Sequence, residues 1–157
     1  MTWKMPPKIK IYEALGCIAD GRITVTGNTA TVRSSNGRKT YTVAYDPEQN
    51  AIMANDNGSY WQGYLGYPAI AFLLKQGVIP YRPQIAVVLA GIPWKEINTR
   101  FKNDHTRTEA YVLERAGQLG ISPIAIREEI DRILAALAKL ELQILGRKVR
   151  PPAESGL

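Results

Sequence analysis

Residues Lys39 to Leu74 read KTYTVAYDPEQNAIMANDNGSYWQGYLGYPAIAFLL, and the reading of this stretch decides the fold. Its first part alternates. Tyr41, Val43 and Tyr45 share one face, and Thr40, Thr42 and Ala44 the other, which is the two-residue period of a strand. Asp46-Pro47 turns the chain, Ala51 to Ala54 makes a second strand, and Asn55-Asp56-Asn57-Gly58 turns it again. Asn57 to Gly66 is a loop with glycines at 58, 63 and 66, whose spacing indicates closely packed backbone in special conformations. Pro68 suits the first turn of a helix. Ala69 to Gln76 is almost wholly apolar before Gly77, so this helix should lie buried against the sheet. Five of the eight tyrosines (Tyr41, Tyr45, Tyr60, Tyr64, Tyr67) and one of the three tryptophans, Trp61, fall here. A surface loop has no need of that much aromatic area. Tyr60, Trp61, Tyr64 and Tyr67 therefore read either as an aromatic core or as a binding platform.

Working outward, the residues upstream continue the strand pattern. Ile23 to Val25, Gly27-Asn28, Thr29 to Ser34 and Asn36-Gly37 give two more short β-branched runs with turn chemistry between them. Asn-Gly is a strong hairpin signal, because both central residues of a type I′ turn need positive φ. An antiparallel meander of three or four strands results. Before it, Ile9, Tyr12, Leu15, Ile18 and Ala19 recur at helical spacing over Lys8 to Asp20, and Gly21 stops the helix. Cys17 beside this face reads as a buried, inert thiol.

Downstream the pattern is helical: Pro83 to Ala90, Trp94 to Lys102, Thr106 to Gln118, and a last helix from Ser122-Pro123 to about Leu145. The apolar positions of the last helix, Ile126, Ile130, Ile133, Leu137, Leu140 and Ile144, step by four and three. That is an a/d seam, which either packs onto the earlier helices or joins two copies of the chain. The expected fold class is thus α+β: an N-terminal helix, a small antiparallel meander packed on a helix, then three to four C-terminal helices. The expected division is an α+β core at 8–77 and a helical region at 78–146 packed on or following it, with flexible tails at 1–7 and 147–157.

Composition narrows the class. The chain has 157 residues, 45% of them hydrophobic and 22% charged, ordinary values for a globular protein with a real core. Met1 to Lys10 does not read as a signal peptide, since Pro6-Pro7 stands where an apolar run is needed. The longest apolar run, around Tyr67 to Leu74, is far too short to span a membrane. A cytoplasmic, intracellular protein is expected. One cysteine and one histidine, Cys17 and His105, exclude a disulfide within the chain and a cysteine-rich zinc site. No metal site and no cofactor is called for.

The central stretch also resembles a SWIM domain, a small intracellular module of a β-hairpin, a CxC pair, a variable loop, a CxH pair and a helix. Tyr41 to Val43 corresponds to the strand upstream of the CxC, and Gly66 to Leu74 (GYPAIAFLL) to the CxH and its helix. Trp61 falls where many members place an aromatic. The resemblance covers about 35 residues. Its ligand positions are replaced throughout. Gly66 and Pro68 stand for the CxH, and Met53 with Asn55, or Ala54 with Asp56, for the CxC. None of these pairs can hold structural zinc. The resemblance implies a zinc-less scaffold in which packing by Tyr60, Trp61, Tyr64 and Tyr67 substitutes for the metal. It also implies a DNA-binding or protein-interaction role.

No nucleophile elbow, phosphate loop or GxGxxG is present, so nothing in the motifs calls for an enzyme. The basic residues are more informative. The formal net charge is +6, a balance that attracts polyanions. Arg33, Arg38 and Lys39 sit in or beside the hairpin with Ser34 and Ser35. Lys95, Arg100, Lys102 and Arg107 punctuate WKEINTRFKNDHTR. Three readings follow. The first is a non-catalytic nucleic-acid-binding protein, for DNA or RNA, making largely backbone contacts through these seven residues. The second is a protein-interaction module, with a protein partner or a homodimer formed through the last helix. The third is an enzyme, which requires a concave pocket with convergent polar groups near Tyr60 to Tyr67.

Overall fold

The computed structural model describes residues 1–154. The protein is α+β: an N-terminal helix, a five-stranded mixed sheet and further helices. Helix α1 (Ile9–Ala19) is buried from Ile11 to Cys17 without interruption. A helix covered on every side is a core helix, and α1 is the element on which the rest is assembled.

Strands β1 (Ile23–Thr26), β2 (Thr29–Arg33), β3 (Thr40–Asp46) and β4 (Ala51–Ala54) form the antiparallel meander, in chain order. Val32 pairs with Tyr41, and Val43 with Ala30 and Ala54, so one face is continuously apolar. That face covers α2 (Tyr67–Lys75), where Tyr45 meets Phe72 at 5.7 Å between ring centroids. The other face carries exposed Thr24, Thr26, Thr29, Thr31, Thr40 and Thr42. Gly27, at φ +59°, opens the two-residue β1–β2 turn, as a II′ turn requires.

The Asn36-Gly37 turn is wider than the sequence suggests. Ser34 N donates to Lys39 O, leaving a four-residue loop, and only Gly37 of the pair has positive φ. The reason is local. Asn36 Oδ1 accepts from Ser34 Oγ and from the Arg38 amide, and Ser34 Oγ accepts from the Lys39 amide. These side chains satisfy the loop's backbone, so a tight I′ turn is not needed.

Downstream lie α3 (Pro83–Ala86) with a 3₁₀ turn at Val87–Leu89, α4 (Trp94–Arg100), α5 (His105–Gln118) and α6 (Pro123–Leu140). Three expectations meet the structure here. First, α6 ends at Leu140 rather than near Leu145. Glu141 takes a left-handed conformation at φ +49°, and Asn50 Nδ2 donates to the Leu140 carbonyl at 2.7 Å. The chain then forms β5 (Gln143–Ile144), parallel to β4, and buries Leu142. An edge strand with unpaired amides outcompetes two more helical residues. Second, the seam faces inward. Ile126, Ile130, Ile133 and Leu137 are buried within the chain, Leu140 is half-buried and Ile144 belongs to β5. The helix's apolar face covers α1, α3 and α5, the first of the two alternatives the seam offers.

Third, residues 1–7 are tied down. Trp3 is 4% exposed, its indole donates to Ile52 O at 2.8 Å, and the backbone bonds of Trp3 and Lys4 reach Leu142 O and Gly63 O. One hydrophobic core runs through the strand-rich and helical halves alike, with α1 touching α2, α3, α5 and α6. At the other end, Val149 lies over the threonine face of the sheet, and Glu154 Oε2 is 3.9 Å from Arg38 Nη1. The remainder of the expected C-terminal tail, 155–157, lies outside the described residues.

Candidate functional site

Between α1, the 56–67 segment and α4 opens a cleft of about 640 Å³, within the range of small-molecule sites. Its floor is charged and buried. Lys10 and Glu13, one turn apart on α1, form an ion pair with Nζ 3.0 Å from Oε2. Glu13 is only 4% exposed, and its Oε1 accepts from Asn98 Nδ2 at 3.0 Å. Burial alone would pull the Lys10 pKa down, but Glu13, with Tyr64 and Asp56, outweighs it and holds the ammonium charged. Burial pushes the Tyr41 hydroxyl up to about 12 and lifts Tyr64 and Tyr67 as well, so all three stay protonated. Burial, with Lys10 nearby, lowers His105 at the mouth and favours neutral imidazole.

Asp56, after β4, is a buried carboxylate with work inside the fold. It accepts from Ser59 N at 3.2 Å and from Ser59 Oγ at 2.6 Å, and Ser59 Oγ accepts in turn from Gly66 N. This network closes a single π-helical turn, Gly58–Gln62, a rare feature that is frequent at functional sites. Burial still raises the Asp56 pKa, with Ser59 pulling the other way. Gly66 touches the Asp56 carboxylate so closely that no side-chain carbon fits between them. A carbon on Gly58 would stand 2.5 Å from the Tyr64 ring, and one on Gly16 2.8 Å from Trp94 Nε1. The glycines at 58 and 66 are thus space requirements, as the loop composition suggests.

Among the described residues, three buried side-chain polar atoms make no hydrogen bond: Glu13 Oε2, Arg22 Nη2 and Trp94 Nε1. All three belong to residues that line this cleft. Glu13 Oε2 has the Lys10 charge beside it, but not in hydrogen-bonding geometry. Arg22 uses Nη1 on Arg33 O at 2.7 Å and lies 5.8 Å from the Tyr67 ring centroid, leaving Nη2 over. Buried groups of this kind are rare. Here the Glu13 oxygen is offset by the Lys10 charge, and Trp94 Nε1 packs against Gly16 of α1.

The residues singled out in the sequence divide. Tyr64 and Tyr67 line the cleft and Tyr67 is packed edge-on against Tyr41 at 6.2 Å. Trp61 is 64% exposed on the rim, with Tyr60 edge-on at 4.7 Å. The aromatic group is therefore not one core, since Trp61 stands outside it. Of the basic residues, Lys95 lines the mouth, and its backbone amide donates to Ser35 Oγ at 3.0 Å, which draws the hairpin loop carrying Arg38 and Lys39 to the start of α4. Arg33 stands on the exposed face of β2. Arg100 and Arg107 lie over the Phe101 ring at 5.5 and 4.8 Å, with Lys102 next to them in a left-handed turn, as a cluster apart from the cleft lining. Lys10 and Glu13 were missed. Their signal was a Lys–Glu pair three residues apart inside a helix otherwise apolar almost throughout. His105 starts α5, one residue before the expected Thr106, and is half-buried.

Among the described residues no three His, Cys, Asp or Glu side chains come together to hold a metal, and no helix is long and apolar enough to cross a membrane. A family model matches residues 3–143, nearly the whole chain. The chain belongs to the family described as uncharacterised conserved protein UCP014422. No curated protein and no solved structure matches it. The family region spans every cleft residue from Pro7 to His105 and the N-terminal segment from Trp3, and stops within β5. The segment over the threonine face lies beyond it.

Proposed function

We propose that this protein binds a small polar ligand, one carrying both hydrogen-bond donors and acceptors, in the cleft between α1, the 56–67 segment and α4. A single observation carries the reading. The buried Lys10–Glu13 ion pair, with Asn98 hydrogen-bonded to it, lines a cleft of about 640 Å³ together with Asp56, Tyr64 and Lys95. Burying a charged pair is costly even when it is paired, and a fold that keeps one in a cleft wall has a use for it. Charges of both signs line the cleft, Glu13 and Asp56 with Lys10, Arg22 and Lys95, so a ligand with donors and acceptors suits it better than a purely anionic or cationic one. The test is a thermal-denaturation survey of the full chain with millimolar amino acids, dicarboxylates, sugar phosphates and nucleotides. A ligand of micromolar affinity at that concentration stabilises by about 4 kcal/mol. At least one class should raise the midpoint in the wild type and much less in Glu13→Gln; no response to any class overturns the reading.

Nucleic-acid binding is a second reading, favoured by the Lys95–Ser35 bond. It draws together two basic stretches that are distant in sequence. A scaffold of SWIM type is compatible with this, since Gly66 and Asp56, the latter a ligand position in one of the two placements of the CxC, are in direct contact. The Asp56–Ser59–Gly66 bonds then occupy the ligand positions. Binding to a labelled single strand should fall steeply between about 50 and 200 mM salt. No binding at the lower salt removes this reading.

A further inference from the structure

We infer that the corner between α4 and α5, where Arg100, Lys102 and Arg107 gather around Phe101, docks the phosphodiester backbone of a nucleic acid, recognised by charge and without regard to base. This rests on the nucleic-acid reading and moves its main contact away from both the cleft and the hairpin loop.

Two cations share one ring here. The guanidinium carbon of Arg107 is 4.8 Å and that of Arg100 5.5 Å from the Phe101 centroid. The two charges are therefore within about 10 Å of each other, and phosphates along one strand follow at about 3.4 Å of axis, so a short run of them covers both. Lys102 is the residue after Phe101, and all three cations are exposed. Among the described residues none of the three is within ion-pairing distance of a carboxylate. The acids nearby in sequence are used elsewhere. Asp104 caps α5 by accepting from the Arg107 amide, and Glu109 accepts from the Tyr12 hydroxyl.

Lys102 stands out by its backbone as well. Helices α1, α2 and α5 are each followed, one residue past the cap, by a glycine in the left-handed region: Gly21, Gly77 and Gly120. At the same position after α4 stands Lys102, at φ +53°, with its amide bonded to Thr99 O and that of Asn103 to Asn98 O. Glycine takes this conformation without steric cost. A residue with a side chain is strained there, and such strain clusters at binding sites. The chain keeps a cation at the one of these four stops that lies between two other cations.

The corner suits a phosphodiester better than a peptide. The Phe101 ring is half-buried and already engaged by both arginines and by Tyr111, centroids 6.3 Å apart. It offers little to a base for stacking or to a peptide as an apolar anchor, from which protein partners draw most of their affinity. What remains is charge, and the guanidinium fork matches phosphate oxygens. Contacts of this kind hold a backbone and carry no sequence information.

The experiment is anisotropy titration of the full chain with a labelled mixed-sequence single strand, the matching duplex, an abasic strand of equal length and polyglutamate, at salt between about 50 and 200 mM. The strand and its abasic counterpart should bind within about twofold of each other, and the tighter of strand and duplex assigns the source. Arg100→Ala, Lys102→Gly and Arg107→Ala should each lower the salt slope on the single strand by about 0.7. The triple variant should lose at least tenfold in affinity at the lower salt. Lys102→Gly should also raise the thermal midpoint by relieving the backbone; a lysine with only a structural role would not couple that gain to weaker binding. If the triple variant keeps the wild-type affinity and slope while Arg38→Ala with Lys39→Ala loses them, the inference fails and the nucleic-acid reading stands at the hairpin. Much weaker binding of the abasic strand, or polyglutamate binding as tightly as the strand, also overturns it. If no nucleic acid binds at the lower salt, both fall.

Discussion

The backbone amide of Lys95 donates to the hydroxyl of Ser35, sixty residues earlier in the chain, at 3.0 Å. Lys95 is the second residue of α4, whose own N-cap position is Pro93 and supplies no side-chain cap. First-turn amides have no partner within their helix, and here the β2–β3 loop provides one. The bond therefore caps a helix and closes one wall of the cleft. Ser35→Ala should cost about 0.5–1.5 kcal/mol in urea denaturation. It should also speed hydrogen exchange at the Lys95 amide. Unchanged exchange there would show that α4 holds its position without the loop.

Two glycines should respond in opposite directions to the same substitution. Gly66→Ala forces a carbon into the Asp56 carboxylate, and overpacking of a rigid site costs about 1–3 kcal/mol or more. Gly117, in α5, has ordinary helical backbone and open space around it. Gly117→Ala should therefore stabilise by up to about 1 kcal/mol, less for its place in the last turn. Equal effects of the two changes in chemical denaturation would contradict the packing described at Asp56.

Asp56 makes the pH dependence specific. Burial, only partly offset by Ser59, lifts its pKa above that of an unfolded aspartate. A carboxyl raised in the folded state holds its proton more tightly there. Its contribution to stability is therefore fullest below the unfolded value, about 3.9, and is lost as pH rises through the folded one. Asp56→Asn removes this titration. The stability of the wild type minus that of Asp56→Asn should decline as pH is raised from about 4. A difference that grows with pH would show that Lys10 outweighs burial at this carboxylate.

The N-terminal segment should behave as core. Trp3→Ala empties a buried indole site and leaves Ile52 O without its donor, at a cost of about 3–5 kcal/mol. Trp3→Phe retains most of the area and loses the hydrogen bond, at about 1–2 kcal/mol. Indistinguishable melting of Trp3→Ala and the wild type would mean that residues 1–7 contribute little.

By itself the sequence determined the local elements. Alternation in Tyr41 to Tyr45, the glycine and proline punctuation and the 3.6-residue spacing of Ile9 to Ala19 identify α1, four strands and α2, because period and turn chemistry are properties of adjacent residues. The thiol of Cys17 is likewise buried as its helix face implies, its pKa pushed up to about 11 by burial. Tertiary structure decided what depends on neighbours distant in sequence. The period of the last helix continues through Leu140 and Ile144, yet the open edge of β4 takes Ile144 for a strand. The apolar seam of α6 looks the same whether a second copy or α1 covers it; only the fold shows that α1 does. Trp3 reads as tail until Ile52 is beside it. The cleft is the furthest from legible, since Lys10, Glu13, Arg22, Trp61, Trp94 and Lys95 come from four separate segments. What makes them one site is the packing of those segments around one cleft, and that packing is set by contacts distant in sequence rather than by a residue's own place in the chain.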